Sequence, residues 1–310
     1  MKRSVIIDCD PGIDDALALF MAIASEDLDI KGITTVVGNV SVECTSENAR
    51  RIVALAGSDI PVAIGAAKPL RNVWRGAAQV HGANGLGNVE LPVARTPFAD
   101  LPAHRFIFEE ARRAGGELEL ITLGPLTNLA LAFQHHPDLT VMIKRIWTMG
   151  GAMEGGNVTP CAEFNIHSDP HAAQIVFRSG VPLLMCGLDV TNRALLLQED
   201  LDGLGRLHSV VARRMLEMLE CYRAFYQKAG RKGLAMHDPF VVACAIDSSI
   251  VSTKRLPVDV ETKGEFTMGC TVVDRREMTD RERNIEVAYD LDCGRFLSKL
   301  EELLSVYEAG

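Results

Sequence analysis

No apolar run in the 310-residue chain approaches the roughly 18 residues needed to cross a bilayer, which excludes a transmembrane helix. A basic excess is also missing. The formal charge is −9, where a nucleic-acid binder would carry a positive footprint. The eight cysteines form no CxxC pair, and some, such as Cys186 and Cys244, lie inside apolar runs. No secretory leader precedes Ser4-Val5, so we expect reduced thiols and a cytoplasmic protein. No internal repeat, low-complexity tract or linker interrupts the sequence, and residues 1–310 read as a single domain. What is present is 47% hydrophobic residues, ample for a sizeable core.

The most informative stretch is Val5-Ile6-Ile7-Asp8-Cys9-Asp10-Pro11-Gly12-Ile13-Asp14-Asp15-Ala16, where an apolar run meets four carboxylates. It reads as a buried strand ending at Asp8, a Pro-Gly turn, and a helix whose first turn holds Asp14 and Asp15. Acidic groups suit a helix N-terminus, where the dipole is positive and N–H groups lack partners. Asp8 and Asp10 are not covered by that argument, because crowded carboxylates repel unless something positive neutralises them. A hard cation bound by oxygen ligands, calcium or magnesium, is the economical answer. An EF-hand starting at Asp8 fails, because its fifth and twelfth positions are Gly12 and Leu19. An aspartyl-nucleophile phosphatase would need Ser or Thr where Gly12 stands.

Apolar strands then alternate with amphipathic helices. Strands fall at 28–37, 60–64, 118–123, 145–149 and 182–188, with helices at 42–56, 102–114, 127–133 and 170–178 between them. This rhythm predicts βαβ units: an α/β fold with a mostly parallel central sheet flanked by helices, Rossmann-like in kind. Two irregular stretches, 68–102 and 152–168, break it, and long connections of this sort are usually functional. The chain then reads as mostly helical over 198–230, with a further helix from His237-Asp238-Pro239 to Ile246. Short strands at 258–261, 270–273 and 285–287 precede a terminal helix over 294–307. In open α/β sheets ligands gather beyond the carboxyl ends of the strands. The polar residues following strands, Asp8, Asp10, Asn39, the Leu123-Gly124-Pro125 turn, Gly150-Gly151 and Asp189, should therefore converge on one rim.

Taken singly, the other signals are plain. His237-Asp238-Pro239 is also an ordinary helix start, and His81 sits in a glycine-rich loop. Their order is specific. Asp10-Pro11-Gly12-Ile13-Asp14-Asp15-Ala16, Val37-Gly38-Asn39, His81-Gly82, Gly124-Pro125-Leu126-Thr127-Asn128, Met149-Gly150-Gly151, Gly156-Asn157-Val158-Thr159, Ala162-Glu163-Phe164-Asn165 and His237-Asp238-Pro239 follow one another along the whole chain. In this the sequence resembles the inosine–uridine-preferring nucleoside N-ribohydrolases.

The resemblance implies a nucleoside hydrolase fold and calcium-dependent hydrolysis of the C1′–N glycosidic bond. It implies a calcium ion held by Asp10, Asp15, Asp238 and the backbone carbonyl of Leu123, with Asp8 orienting from behind. Leu123 departs from the Thr common at that place, a change that a main-chain ligand tolerates. Asp14 and Asn165 would meet the ribose 2′- and 3′-hydroxyls, Glu163 and Asn157 the 5′-hydroxyl, with Asn39 near sugar and water. Asp10 would act as general base and His237 as the acid for the departing base. His81 and the segment 222–236, with Tyr222, Tyr226 and Gln227, would cover the base. His81 together with His237 is more similar to the pyrimidine-preferring members, and the family is usually a homo-oligomer, dimer or tetramer. The alternatives are a nucleoside- or ribose-binding protein without chemistry and, further off, the phosphatase.

Overall fold

Val5, Ile6 and Ile7 are buried in strand β1 (Arg3–Cys9), as suits a strand at the middle of a parallel sheet. The computed structural model describes residues 2–276 and 278–309. After β1 come α1 (Ile13–Ala24), β2 (Leu28–Thr35), α2 (Val42–Leu55), β3 (Val62–Ile64) and the one-turn α3 (Ala78–His81). The next units are α4 (Ala103–Ala114), β4 (Leu118–Thr122), α5 (Thr127–His135), β5 (Ile143–Met149), α6 (Phe164–Ser168), α7 (Pro170–Phe177), β6 (Leu183–Cys186) and α8 (Leu188–Thr191). Then follow β7 (Leu195–Leu196), α9 (Gln198–Leu204), α10 (Val210–Lys228), β8 (Leu234–Ala235) and α11 (His237–Ile246). The chain closes with β9 (Val251–Leu256), β10 (Val258–Val260), β11 (Thr271–Val273), β12 (Ile285–Leu291) and α12 (Cys293–Ser305).

Eight strands form one sheet in the order β3-β2-β1-β4-β5-β6-β12-β9, parallel except for β9 on the edge. Helices cover both faces. Alpha helices α1, α2, α10, α11 and α12 share one apolar cluster, and α4, α5 and α7 share the other. The single α/β domain is thus doubly wound. Its strand order reverses at β1, which leads to α1 on one face, while its neighbour β4 leads to α5 on the other. Such a reversal opens a crevice beyond the strand ends, and the four carboxylates stand there.

Three expectations differ in detail. The helical reading of 198–230 breaks at 205–209, where two glycines weaken α9 and Ser209 caps α10 by accepting from the Ala212 N–H at 3.0 Å. Edge strand β9 carries exposed Ser252, Thr253, Lys254 and Arg255, so it has no apolar period to read. The strand expected at 182–188 ends at Cys186 and gives way to the one-turn α8.

The helix that delivers Asp238 is anchored by Phe240, which is fully buried and meets Phe296 edge-on with ring centroids 5.7 Å apart. Replacing Phe240 with Ala should cost about 3–5 kcal/mol of unfolding free energy, read by urea denaturation. A loss below about 1 kcal/mol would show that α11 is held by something else.

Candidate active site

Asp8 is the last residue but one of β1, and its side chain is buried. It accepts from the Thr34 hydroxyl and, at 2.7 Å, from Asn128 Nδ2. Its second oxygen has no partner, and burial pushes its pKa up to about 6. Asp10 lies two residues on, gripped on both sides by glycines. A Cβ at Gly38 would lie 2.0 Å from one of its carboxylate oxygens, and one at Gly124 would lie 2.4 Å from the other. Any side chain at either position would displace the carboxylate. Asp10 Oδ2 accepts from the Asn39 N–H at 2.7 Å, while Oδ1 is buried without a partner.

Asp14, Asp15 and Asp238 place one oxygen each within 4.8 Å of one another. Asp15 is held by N–H donors from Gly12 at 2.9 Å and Asp10 at 3.3 Å, and by Asn39 Nδ2 at 3.2 Å. Burial raises all four carboxyls, and repulsion adds to it at Asp10, Asp14 and Asp238: Asp15 rises to about 6, Asp14 to about 8, and Asp10 and Asp238 well above the usual range. Among the described residues no lysine or arginine is buried, so no side chain supplies the missing positive charge. Oxygen donors, crowding and an orphaned Asp10 oxygen fit a hard metal cation. The carboxylates that converge closely enough to share an ion are Asp14, Asp15 and Asp238, so Asp14 takes a place that the sequence had given to the sugar. The Leu123 carbonyl already accepts from Asn165 Nδ2 at 2.7 Å, which leaves its second lone pair free.

Asp14, Asp238, Asn39 and Leu123 line the floor of a cavity of about 420 Å³. One wall comes from the loop after β5. Glu163 caps α6, its carboxylate accepting from the N–H groups of Asn165 at 2.8 Å, Ile166 at 3.2 Å and Gly151 at 2.9 Å. Asn165 and Asn157 line the same wall. Asp189 does not reach the cavity: it accepts from the N–H groups of Met153 and Glu154, fixing the start of this loop.

The opposite wall is aromatic. His81 Nδ1 accepts from the Ile13 N–H at 3.0 Å, so the ring proton resides on Nε2. Asp14 lies 3.9 Å from the same nitrogen, yet burial, reinforced by His237, drives the His81 pKa down to about 3. The imidazole is neutral and the contact is no ion pair. Tyr222 and Tyr226 point inward from α10, whereas Gln227 faces solvent. Tyr222 donates to Asp14 at 3.4 Å, and the Tyr226 hydroxyl lies 3.2 Å from His237 Nε2. His237 Nδ1 meets the Thr191 hydroxyl at 2.8 Å. The sequence suggested a His237 titrating in the ordinary imidazole range; burial, then Arg231, lowers it to about 4, so it too is neutral at pH 7.

Asp14, Asn39, His81, Leu123, Asn157, Glu163, Asn165, Tyr222, Tyr226, His237 and Asp238 line one cavity, whereas Asp189 and Gln227 do not. Thr191 and Thr34 escaped notice, because a hydroxyl that orients a neighbour has no spacing signature, and Asn128 was quoted within its motif without a role. Asn192 and Arg231, joined at 3.0 Å across the cavity mouth, were equally silent.

The raised carboxyls fix how a metal-free protein responds to pH. Below the ordinary carboxylate range both folded and unfolded chains are protonated. Above it the unfolded chain ionises, while the folded chain keeps protons on Asp8 and Asp15 to about 6 and on Asp14 to about 8. The folded state then binds more protons, so stability falls as pH rises from about 4 to about 8. Chelator-treated protein should show a falling unfolding midpoint over this interval, with a divalent cation restoring it at the upper end. A midpoint that rises with pH after chelation would contradict the argument.

A family model described as inosine-uridine preferring nucleoside hydrolase matches residues 5–298. The pyrimidine-specific ribonucleoside hydrolase RihA of Photobacterium profundum is 42% identical, over 99% of this chain and all of its own length. Among solved structures, the purine-preferring ribonucleoside hydrolase from Gardnerella vaginalis superposes with a TM-score of 0.94 at 33% identity, covering 99% of this chain and 100% of that one. The plant nucleoside hydrolase PpNRh1 gives 0.93 at 34% identity, covering 98% and 99%. Motif order, sheet topology and the carboxylate-floored cavity lead to the same place: the chain belongs to the inosine-uridine preferring nucleoside hydrolase family and is a ribonucleoside hydrolase.

Proposed function

We propose that this hydrolase acts preferentially on uridine and cytidine, in the cytoplasm, as a homo-oligomer, with calcium as its metal. The observation that carries the reading is one cavity with an unneutralised carboxylate floor, an amide and carboxylate wall and an aromatic–histidine wall. The floor and first wall suit ribose, and the second suits a flat base.

Calcium held by Asp10, Asp15, Asp238 and the Leu123 carbonyl would neutralise the floor and supply Lewis acidity toward water and sugar hydroxyls. The remaining chemistry belongs to side chains. The unpartnered Oδ1 of Asp10 takes the proton from the attacking water, and burial raises its basicity above that of an ordinary carboxylate. Asp14 accepts from the 2′-hydroxyl, Asn165 meets the 3′-hydroxyl, and Glu163 with Asn157 and Asn39 orient the rest of the sugar. The glycosidic bond breaks with oxocarbenium character on the ribosyl group, which the surrounding carboxylates stabilise. His81 offers its Nε2–H to the base. His237, neutral and aligned by Thr191 and Tyr226, hydrogen-bonds the leaving base rather than meeting it as a cation. Tyr222, Phe225 and Tyr226 exclude water above it.

The base preference rests on the His81–His237 pair and on the pyrimidine specificity for which the Photobacterium profundum relative is named. Likeness of fold does not carry it, since a structural neighbour is named for purines. A nucleoside-binding protein without chemistry would have no use for Asp10 and His237 at their present positions. Release of free ribose from uridine, with and without chelator, separates hydrolase from binder and from phosphatase.

Asp10→Asn should lower kcat by about 10²–10⁴ while ribose binding, read by calorimetry, survives. Near-normal turnover would remove Asp10 as the base. On the specificity side, kcat/KM for uridine should exceed that for inosine by about tenfold or more. The reverse order would overturn the pyrimidine assignment.

A further inference from the structure

The loop 152–163, which carries Asn157 and leads into Glu163, is pinned at both ends by the start of β11. At one end Thr271 Oγ1 donates to the Ala152 carbonyl at 2.6 Å and accepts from the Ala152 N–H at 2.8 Å. At the other, Ala162 forms an isolated antiparallel bridge with Cys270. Between these points the chain folds on itself, with the N–H groups of Asn157, Val158 and Thr159 all directed at the Ala162 carbonyl. Cys161 stands beside the bridge. Its thiol donates to the Phe266 carbonyl at 3.1 Å and neighbours the Cys270 thiol. Both cysteines are half-buried, open to a small oxidant. The other thiol pair in contact, Cys186 with Cys244, is buried in the core and closed to one.

We propose that Cys161 and Cys270 form a reversible oxidative modification site, in which a peroxide joins them in a disulfide that ties the substrate loop covalently to β11. Cys161 is next in sequence to the bridged Ala162, and its thiol neighbours that of Cys270, the proximity that a disulfide requires. The Cys161 thiolate attacks one peroxide oxygen; the O–O bond breaks and the leaving hydroxide takes a proton to become water. The resulting Cys161 sulfenic acid is then attacked at sulfur by the Cys270 thiolate, the S–O bond breaks, and a second water leaves. Two thiols and one hydrogen peroxide thus become one disulfide and two waters. Burial and the neighbouring Cys161 push the Cys270 thiol up, which suits it to the second step rather than the first.

The linked loop can no longer open at 161–162, so its amides should exchange more slowly. The test treats the metal-loaded protein with hydrogen peroxide, maps peptides by mass spectrometry without reductant, and follows amide hydrogen exchange over 152–163. The expected result is a Cys161–Cys270 linked peptide, reversed by dithiothreitol and absent in Cys161→Ser and Cys270→Ser, with exchange slowed about tenfold. Oxidation to sulfinic acid without the link, or a link that leaves exchange unchanged, would overturn the proposal. Neither readout depends on turnover, so failure of the substrate assignment would be seen separately.

Discussion

Four carboxylates are buried together at the carboxyl end of β1 and on the helix that meets it, with no buried lysine or arginine among the described residues. Isolated charges in such a place are costly, and proteins meet that cost by protonation, pairing or metal binding. Here protonation is the response of the protein without a cation, as the raised carboxyls record. A bound hard cation turns the same crowding into an asset. Carboxylates that repel one another in its absence become its oxygen donors.

The fold exists to assemble those donors from distant segments. Reversal of strand order at β1 separates the turns after β1 and β4, and the gap is filled by Asp10, Gly124 and the Leu123 carbonyl. Helix α11 brings Asp238 from far along the chain, buried through Phe240 and the apolar face it shares with α1. Gly38 and Gly124 leave only enough room for the Asp10 carboxylate, so its aim is set by backbone and not by a rotamer choice. The same economy appears at His81. A single backbone N–H at the start of α1 fixes which imidazole nitrogen faces the cavity.

Much of this is legible in the chain. Val5–Ala16 announces a strand, a turn and a helix start by apolar run, Pro-Gly and paired aspartates, because those signals are local. His237-Asp238-Pro239 is legible as a helix start, but its place beside Asp15 depends on sheet topology that no local pattern encodes. Tyr226 could be named but not oriented, since a helix offers more than one face to its neighbours. Thr191 could not be named at all, and Asn128 could be named in its motif but given no role. Their roles are set by contacts with His237 and Asp8 across 46 and 120 residues of sequence. Strand β9 was missed for the opposite reason: its exposed polar side chains follow solvent, not the sheet.

The central claim is that crowded, partly protonated carboxylates await a cation. Calorimetric titration of calcium into chelator-treated protein at neutral pH, repeated in buffers of different ionisation enthalpy, counts the protons displaced. The account predicts uptake of about one ion per chain with release of about one proton or more. Uptake without proton release, or no uptake, would contradict it.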